Sequence, residues 1–163
     1  MKPVPYMSAS LRFVLPIFAA GALIVAVGDV GAQVRAELKI VEHPKLGPYL
    51  TAGGTSVYLF EEDRPEGERG RSVESDCVDR CLERWPPVAG EPLPEAGEGT
   101  DGGLVSSFRR PDGKVQAMYN GWPLYYFADD YVAGDVNGHD FEEFGGEWYL
   151  ITPDGREVPG SLR

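Results

Sequence analysis

Cys77, Cys81 and His139 are the residues of this chain best suited to hold a soft metal. The two cysteines are its only ones and His139 is one of two histidines; a pair of thiolates with an imidazole suits Cu(I). The same cysteines, oxidised, would instead form a disulfide. On a regular helix residues four apart hold their Cβ atoms about 5–6 Å from each other, against about 3.8 Å in a disulfide. A bridge therefore requires that Cys77 precede the regular helix. The disulfide is the expectation and copper the alternative, because the compartment read below keeps thiols oxidised.

A second constellation is the acidic loop from Asp129 to Glu143. Asp135-Val136-Asn137-Gly138 opens like a calcium loop, with oxygen ligands two residues apart. The pattern then breaks: His139 stands where the next carboxylate belongs, Asp140 where the turn glycine belongs, and Gly146 where the closing acid belongs. An irregular calcium site built from Asp129, Asp130, Asp140, Glu142 and Glu143 is the alternative to a solvated acidic turn. Nucleophilic catalysis has less to work with. Ser106 and Ser107 have no histidine near them in sequence, His43 sits before Pro44, and Glu142 and Glu143 are adjacent and point apart in a strand. The expectation is a protein that is not an enzyme and needs no cofactor.

The elements that must position these residues are organised by a duplication. Tyr58-Leu59-Phe60-Glu61-Glu62-Asp63 and Tyr125-Tyr126-Phe127-Ala128-Asp129-Asp130 both read Tyr-x-Phe-x-x-Asp, each after a turn signal and each leading to a tryptophan, Trp85 and Trp148. The tyrosines stand 67 positions apart and the tryptophans 63. One supersecondary unit repeated, at about 49–88 and 104–155, would leave each half with an aromatic face that needs the other as cover. In a strand Tyr58 and Phe60 face one side and Leu59 the other, as do Tyr125 and Phe127 against Tyr126. Such faces build a core; an exposed platform for sugars or peptides is the alternative. Asp63 and Asp130, three residues past Phe60 and Phe127, are expected to close the following turns by accepting backbone N–H groups.

Val34 to Val41 alternates apolar and charged residues, the period of a half-buried strand. Tyr49–Thr51 and Ser56–Phe60 flank Gly53-Gly54 as a hairpin, and Leu104–Phe108 and Lys114–Tyr119 flank Arg110-Pro111-Asp112-Gly113 as another. Trp122–Phe127 and Trp148–Thr152 read as further strands, separated by a long loop over 128–146. Ser75 to Trp85 is the helix candidate, with Asp76 as its cap and Pro86-Pro87 as its stop. The acidic Pro/Gly segment 91–103 reads as a mobile linker between the repeats. The fold class expected is mainly β, a small domain of two duplicated antiparallel units with about seven strands and one short helix.

Residues 1–32 read as a signal peptide. Lys2 and Arg12 precede an uncharged run from Phe13 to Gly28, and Val30-Gly31-Ala32 supplies the small residues cut before Gln33. Pro16, Gly21 and Asp29 argue against a permanent span, so no stable membrane insertion is expected after cleavage. From Gln33 to Arg163 there are 131 residues, enough for one domain, with 13 basic and 25 acidic side chains and a charge of −12. That field repels nucleic acid and anionic lipid, and leaves an envelope protein or a small ligand as partner.

Tyr49-Leu50-Thr51, Tyr58-Leu59-Phe60 through Asp63, Cys77-x-x-x-Cys81-x-x-x-Trp85-Pro86-Pro87, Tyr119 through Phe127, Gly134-Asp135-Val136-Asn137-Gly138 and Trp148-Tyr149 together resemble the bacterial family called secreted repeat of unknown function. Its members are described as predicted lipoproteins with a Tyr-x-aromatic-x-x-Asp motif. The resemblance covers about 49–155 and implies an exported bacterial protein, periplasmic or secreted, with two copies of a small repeat. It brings no activity or catalytic residue. The chain departs from it in having no cysteine at the leader boundary, so the lipid-modified N-terminus of a lipoprotein is not expected. The function implied is a binding or structural module of the cell envelope, with a periplasmic copper or calcium protein as the alternative.

Overall fold

Strands in this protein are short because turn residues interrupt each apolar run after a few positions. The computed structural model describes residues 36–65, 67 and 72–162. The chain divides into two units, Met1–Ala32 and Gln33–Arg163, and all described residues belong to the second. Residues 1–32, read from sequence as a signal peptide, and Val34 and Arg35 of the alternating run lie outside the described residues.

The alternating run forms β1 (Glu37–His43), with Leu38 buried and Ile40 half-buried. It pairs antiparallel with β2 (Gly47–Ala52), and His43 Nδ1 closes the turn by accepting the Lys45 and Leu46 N–H groups. Gly53 and Gly54, at φ +58° and +87°, turn the chain into β3 (Thr55–Ser56). Here the expected hairpin ends early. Val57 N–H bonds back to Leu50 O, and β4 (Tyr58–Phe60) leaves for another sheet. In β4 the alternation of a strand puts Tyr58 and Phe60 on one core and Leu59 on another.

The helix is much shorter than the sequence suggests. Only α1 (Cys81–Arg84) is helical; its N-cap is Arg80, with no side-chain cap, and not Asp76. Two causes are visible. Asp79 adopts φ +51°, incompatible with a continuing helix, and the Asp76 N–H is taken by Asp63 Oδ1. The proposed linker is also corrected. Within 91–103, β5 (Glu95–Ala96) runs parallel beside β1, Gly97 N–H donates to Leu38 O, and Ile40 N–H donates to Glu98 O. The open edge of β1 supplies backbone partners that the composition of the segment does not reveal.

β6 (Val105–Arg109) and β7 (Val115–Tyr119) form the expected hairpin, and Asn120-Gly121 turns into β8 (Trp122–Pro123). The strand read over Trp122–Phe127 ends at Pro123 in that sheet and continues as isolated bridges. The loop 128–146 contains one strand, β9 (Phe141–Glu143), joined through Phe144-Gly145 to β10 (Gly146–Leu150). The described residues thus hold three sheets, ordered β3-β2-β1-β5, β4-β10-β9 and β6-β7-β8. All pairings are antiparallel except β1 with β5. The fold is mainly β, with one short α-helix.

Two apolar cores follow from strand alternation. Tyr58, Phe60, Trp85, Tyr125, Phe127, Trp148 and Leu150 share the first with the two cysteines. Leu38, Leu50, Leu59, Leu124 and Ile151 form the second, against which Trp122, Tyr126 and Tyr149 pack. Successive residues of the motif strands therefore serve opposite cores, as a period of two requires.

Candidate functional site: the exchanged aromatic motifs

The two motif copies meet at their tyrosines. Tyr58 N–H donates to Tyr125 O at 2.9 Å and Tyr125 N–H to Tyr58 O at 3.0 Å, an isolated antiparallel bridge between the repeats. The side chains then cross over. The Tyr58 hydroxyl donates to Asp130 Oδ2 and the Tyr125 hydroxyl to Asp63 Oδ2, each at 2.6 Å. Rings exchange in the same sense: Phe60 stacks on Trp148 at 4.2 Å, and Phe127 lies against Trp85 at 4.3 Å. The tryptophans stack on each other at the centre, 3.8 Å between ring centroids and 4° between planes. Backbone pairing repeats the pattern, since Tyr58–Phe60 pairs with Trp148–Leu150 of the second repeat. Tyr126 N–H donates to Pro86 O of the first, Val88 N–H to Leu124 O, and Ala128 N–H to Arg84 O.

The aspartates do more than close turns. The turns themselves are closed by backbone, Asp63 N–H to Phe60 O and Asp130 N–H to Phe127 O, both at 3.1 Å. The second carboxylate oxygen of each residue reaches across the following loop, accepting from Asp76 N–H at 2.8 Å and from Asn137 N–H at 3.0 Å. Each aspartate thus ties its own loop to the tyrosine of the opposite repeat.

Their surroundings differ. Asp63 is 3 % exposed, and burial raises its carboxyl to about 7 against the opposing hydrogen bonds from Tyr125 and Asp76. Asp130 is partly exposed and is raised by the same cause. Burial also raises both phenols, so they stay protonated donors at neutral pH. On the Asp63 side the network continues. Ser75 Oγ lies 2.7 Å from the Tyr125 hydroxyl, and Arg110, also 3 % exposed, donates to Ser75 Oγ, to Gln116 Oε1 and to Cys77 O. Gln116 passes its amide N–H to Leu124 O. Sequence reading assigned Arg110 only to a turn and omitted Gln116; an Arg before Pro-Asp-Gly carries no sign of burial.

Cys77 and Cys81 are joined in a disulfide, and Cys77 precedes α1. The copper set is not assembled. The sulfurs are bonded to each other, while His139 Nε2 lies 2.9 Å from Gly160 O and its Nδ1 accepts from Leu150 N–H. The calcium set is likewise dispersed into local bonds. Asp135 Oδ2 accepts from Tyr131 and Val132 N–H, Asn137 Nδ2 donates to Asp129 O, and Asp129 and Glu143 pair with Arg84. Asp140 takes φ +54° in the same loop. Among the described residues no group of three or more His, Cys, Asp or Glu is placed to hold a metal ion. Gly138 serves packing, since a Cβ there would lie 2.8 Å from the Trp85 ring.

Trp122, like Asp130, is only partly buried. It lines a cleft of about 640 Å³ with Thr152, Arg156, Glu157 and Pro159. Among the described residues no helix is long and apolar enough to cross a membrane.

Two Tyr-x-Phe-x-x-Asp motifs that exchange partners within a mainly β domain define the class of this protein. Residues 106–152 match the family model described as a secreted repeat of unknown function, the family that the motifs resemble. The matched segment runs from β6 to just past β10 and so contains the second motif copy, the acidic loop and Trp148. No curated protein and no solved structure matches the chain.

Proposed function

We propose that this protein is an exported, non-catalytic binding module of the bacterial cell envelope, built on a rigid double-repeat core. The observation that carries the reading is the division of labour among the motif residues. Tyr58, Phe60, Asp63, Trp85, Tyr125, Phe127 and Trp148 are buried, with their polar atoms engaged inside the protein, and Trp122 borders the cleft. An indole wall beside the Thr152 hydroxyl, the Arg156 guanidinium and the Glu157 carboxylate offers an apolar face with polar groups at its rim, which suits a small sugar or peptide. Titration of the mature protein with muropeptides and chito-oligosaccharides, followed by calorimetry, tests the reading. Binding that Trp122→Ala and Arg156→Ala both weaken, in variants with unchanged circular dichroism, supports it. Absence of binding to both panels, or binding that neither substitution alters, removes the cleft as the site.

A further inference from the structure

Three ring N–H or O–H groups of the first core donate to carboxylates. They are Tyr58 to Asp130 and Tyr125 to Asp63, both at 2.6 Å, and Trp85 Nε1 to Glu143 Oε2 at 3.0 Å. The three rings are connected by contact. Tyr58 meets Trp85 edge-on at 5.5 Å, Trp85 stacks on Trp148, and Tyr125 meets Trp148 edge-on at 5.2 Å. Indole and phenol are readily oxidised side chains, and loss of an electron makes their N–H and O–H strongly acidic. A carboxylate already hydrogen-bonded there can take the proton in the same step. Space-filling alone would be served by Phe at 58 and 125, with no carboxylate brought into the core, where its desolvation is unfavourable.

We infer that the aromatic core is a proton-coupled relay that accepts an electron vacancy from oxygen-centred radicals at the surface and holds it on Tyr58 and Tyr125. Its entry is a second cleft, of about 360 Å³, lined by Arg80, Glu83, Arg84, Ala128, Glu143 and Phe144. Glu143 both borders this cleft and accepts the Trp85 N–H. An oxygen-centred radical takes one electron from Trp85 and leaves as its anion, while the indole proton moves to Glu143. Tyr58 then gives an electron to Trp85 and its phenolic proton to Asp130, and Glu143 returns its proton to the indole nitrogen. The net change is one electron to the oxidant and one proton from Tyr58 to Asp130. The Trp148 N–H donates to the Glu143 carbonyl, which is no base. On this branch Trp148 gives an electron to Trp85 as Glu143 returns its proton to the indole nitrogen, and the Trp148 radical cation then takes an electron from Tyr125, whose proton passes to Asp63. Burial makes Asp63 a stronger base than an ordinary aspartate, with its carboxyl near 7.

Flash-quench oxidation of the mature, disulfide-intact protein by a ruthenium tris-bipyridyl complex tests this. Transient absorption should show an indolyl signal converting to a tyrosyl signal, more slowly in D2O. The Tyr58→Phe/Tyr125→Phe double variant keeps both rings and should leave an indolyl signal that does not convert. Wild-type protein exposed to carbonate radical supplies a measurement that needs no variant, because mass mapping should place oxidation on the peptides holding Tyr58 and Tyr125. A tyrosyl signal undiminished in the double variant, or oxidation confined to surface Tyr131 and Trp122, overturns the proposal.

Discussion

Replacing Tyr125 by Phe removes one hydroxyl and leaves the ring, so its cost isolates the bond to Asp63. A hydrogen bond to a charged group contributes about 1.5–3 kcal/mol net. Asp63 is 3 % exposed, so water cannot readily take the place of the phenol. Tyr125→Phe should therefore cost about 2–3 kcal/mol at pH 8. Tyr58→Phe removes the equivalent bond to Asp130, which is partly exposed, and should cost about 1 kcal/mol. Urea denaturation of the oxidised protein, extrapolated linearly, measures both. A double-mutant cycle of Tyr125→Phe with Asp63→Asn should return a coupling of more than about 1 kcal/mol, beyond the few tenths expected of independent sites. Acidification adds a second check. Near pH 5 Asp63 is protonated in the folded protein, the bond becomes neutral, and the cost of Tyr125→Phe should fall. Equal costs for the two tyrosine variants, or a coupling near zero, would refute the asymmetric exchange.

The Asp63 carboxyl near 7 sits above its value of 3.8 in an unfolded chain, so the folded state binds the extra proton between them. Stability should fall as pH rises through that window, by at most about 1.4 kcal/mol per unit from this group, and level off above it; Asp63→Asn should flatten the profile of urea midpoints. A Cβ at Gly138 would stand 2.8 and 2.9 Å from Trp85 ring carbons and 3.0 Å from Tyr58 Cζ. Gly138→Ala should cost about 1–3 kcal/mol by overpacking, read as a lower urea midpoint. Phe144 holds φ +59° in a two-residue hairpin turn whose counterpart between β7 and β8 is Asn120-Gly121. Phe144→Asn should raise the melting temperature, through about 1 kcal/mol of relieved strain. Reduction of Cys77–Cys81 should destabilise the fold by about 2 kcal/mol on the chain-entropy model, measurable by denaturation with and without reductant.

The alternation of Tyr58-Leu59-Phe60 between opposite faces and the position of Cys77 ahead of the helix were legible, because each rests on spacing within one short segment. The sequence placed each tyrosine and aspartate in one motif, with Asp63 and Asp130 expected to accept backbone N–H groups of their own turns, and gave no phenol as their partner. The bonds run between repeats, since pairing across more than sixty residues leaves no local trace. The same limit applies to segment 91–103, whose composition describes a free chain and whose order comes from the edge of β1. It applies also to Arg110, whose burial depends on Ser75, Cys77 and Gln116 arriving from elsewhere. Helix propensity over 75–80 was outweighed by two tertiary demands, the left-handed Asp79 and the capture of Asp76 N–H.

The crossed bonds make each repeat an incomplete object. Residues 106–152 carry a tyrosine whose acceptor, Asp63, and an aspartate whose donor, Tyr58, both lie outside that segment. One repeat alone would expose Trp148 and leave Asp130 without its phenol, yet two identical copies related by a dyad could satisfy each other, since the Tyr–Asp and Phe–Trp exchanges are reciprocal. Tandem duplication followed by fusion would preserve such a homodimer within one chain. It would also free the halves to diverge, one acquiring a disulfide, the other an acidic loop and an arginine, Arg110, buried against the first.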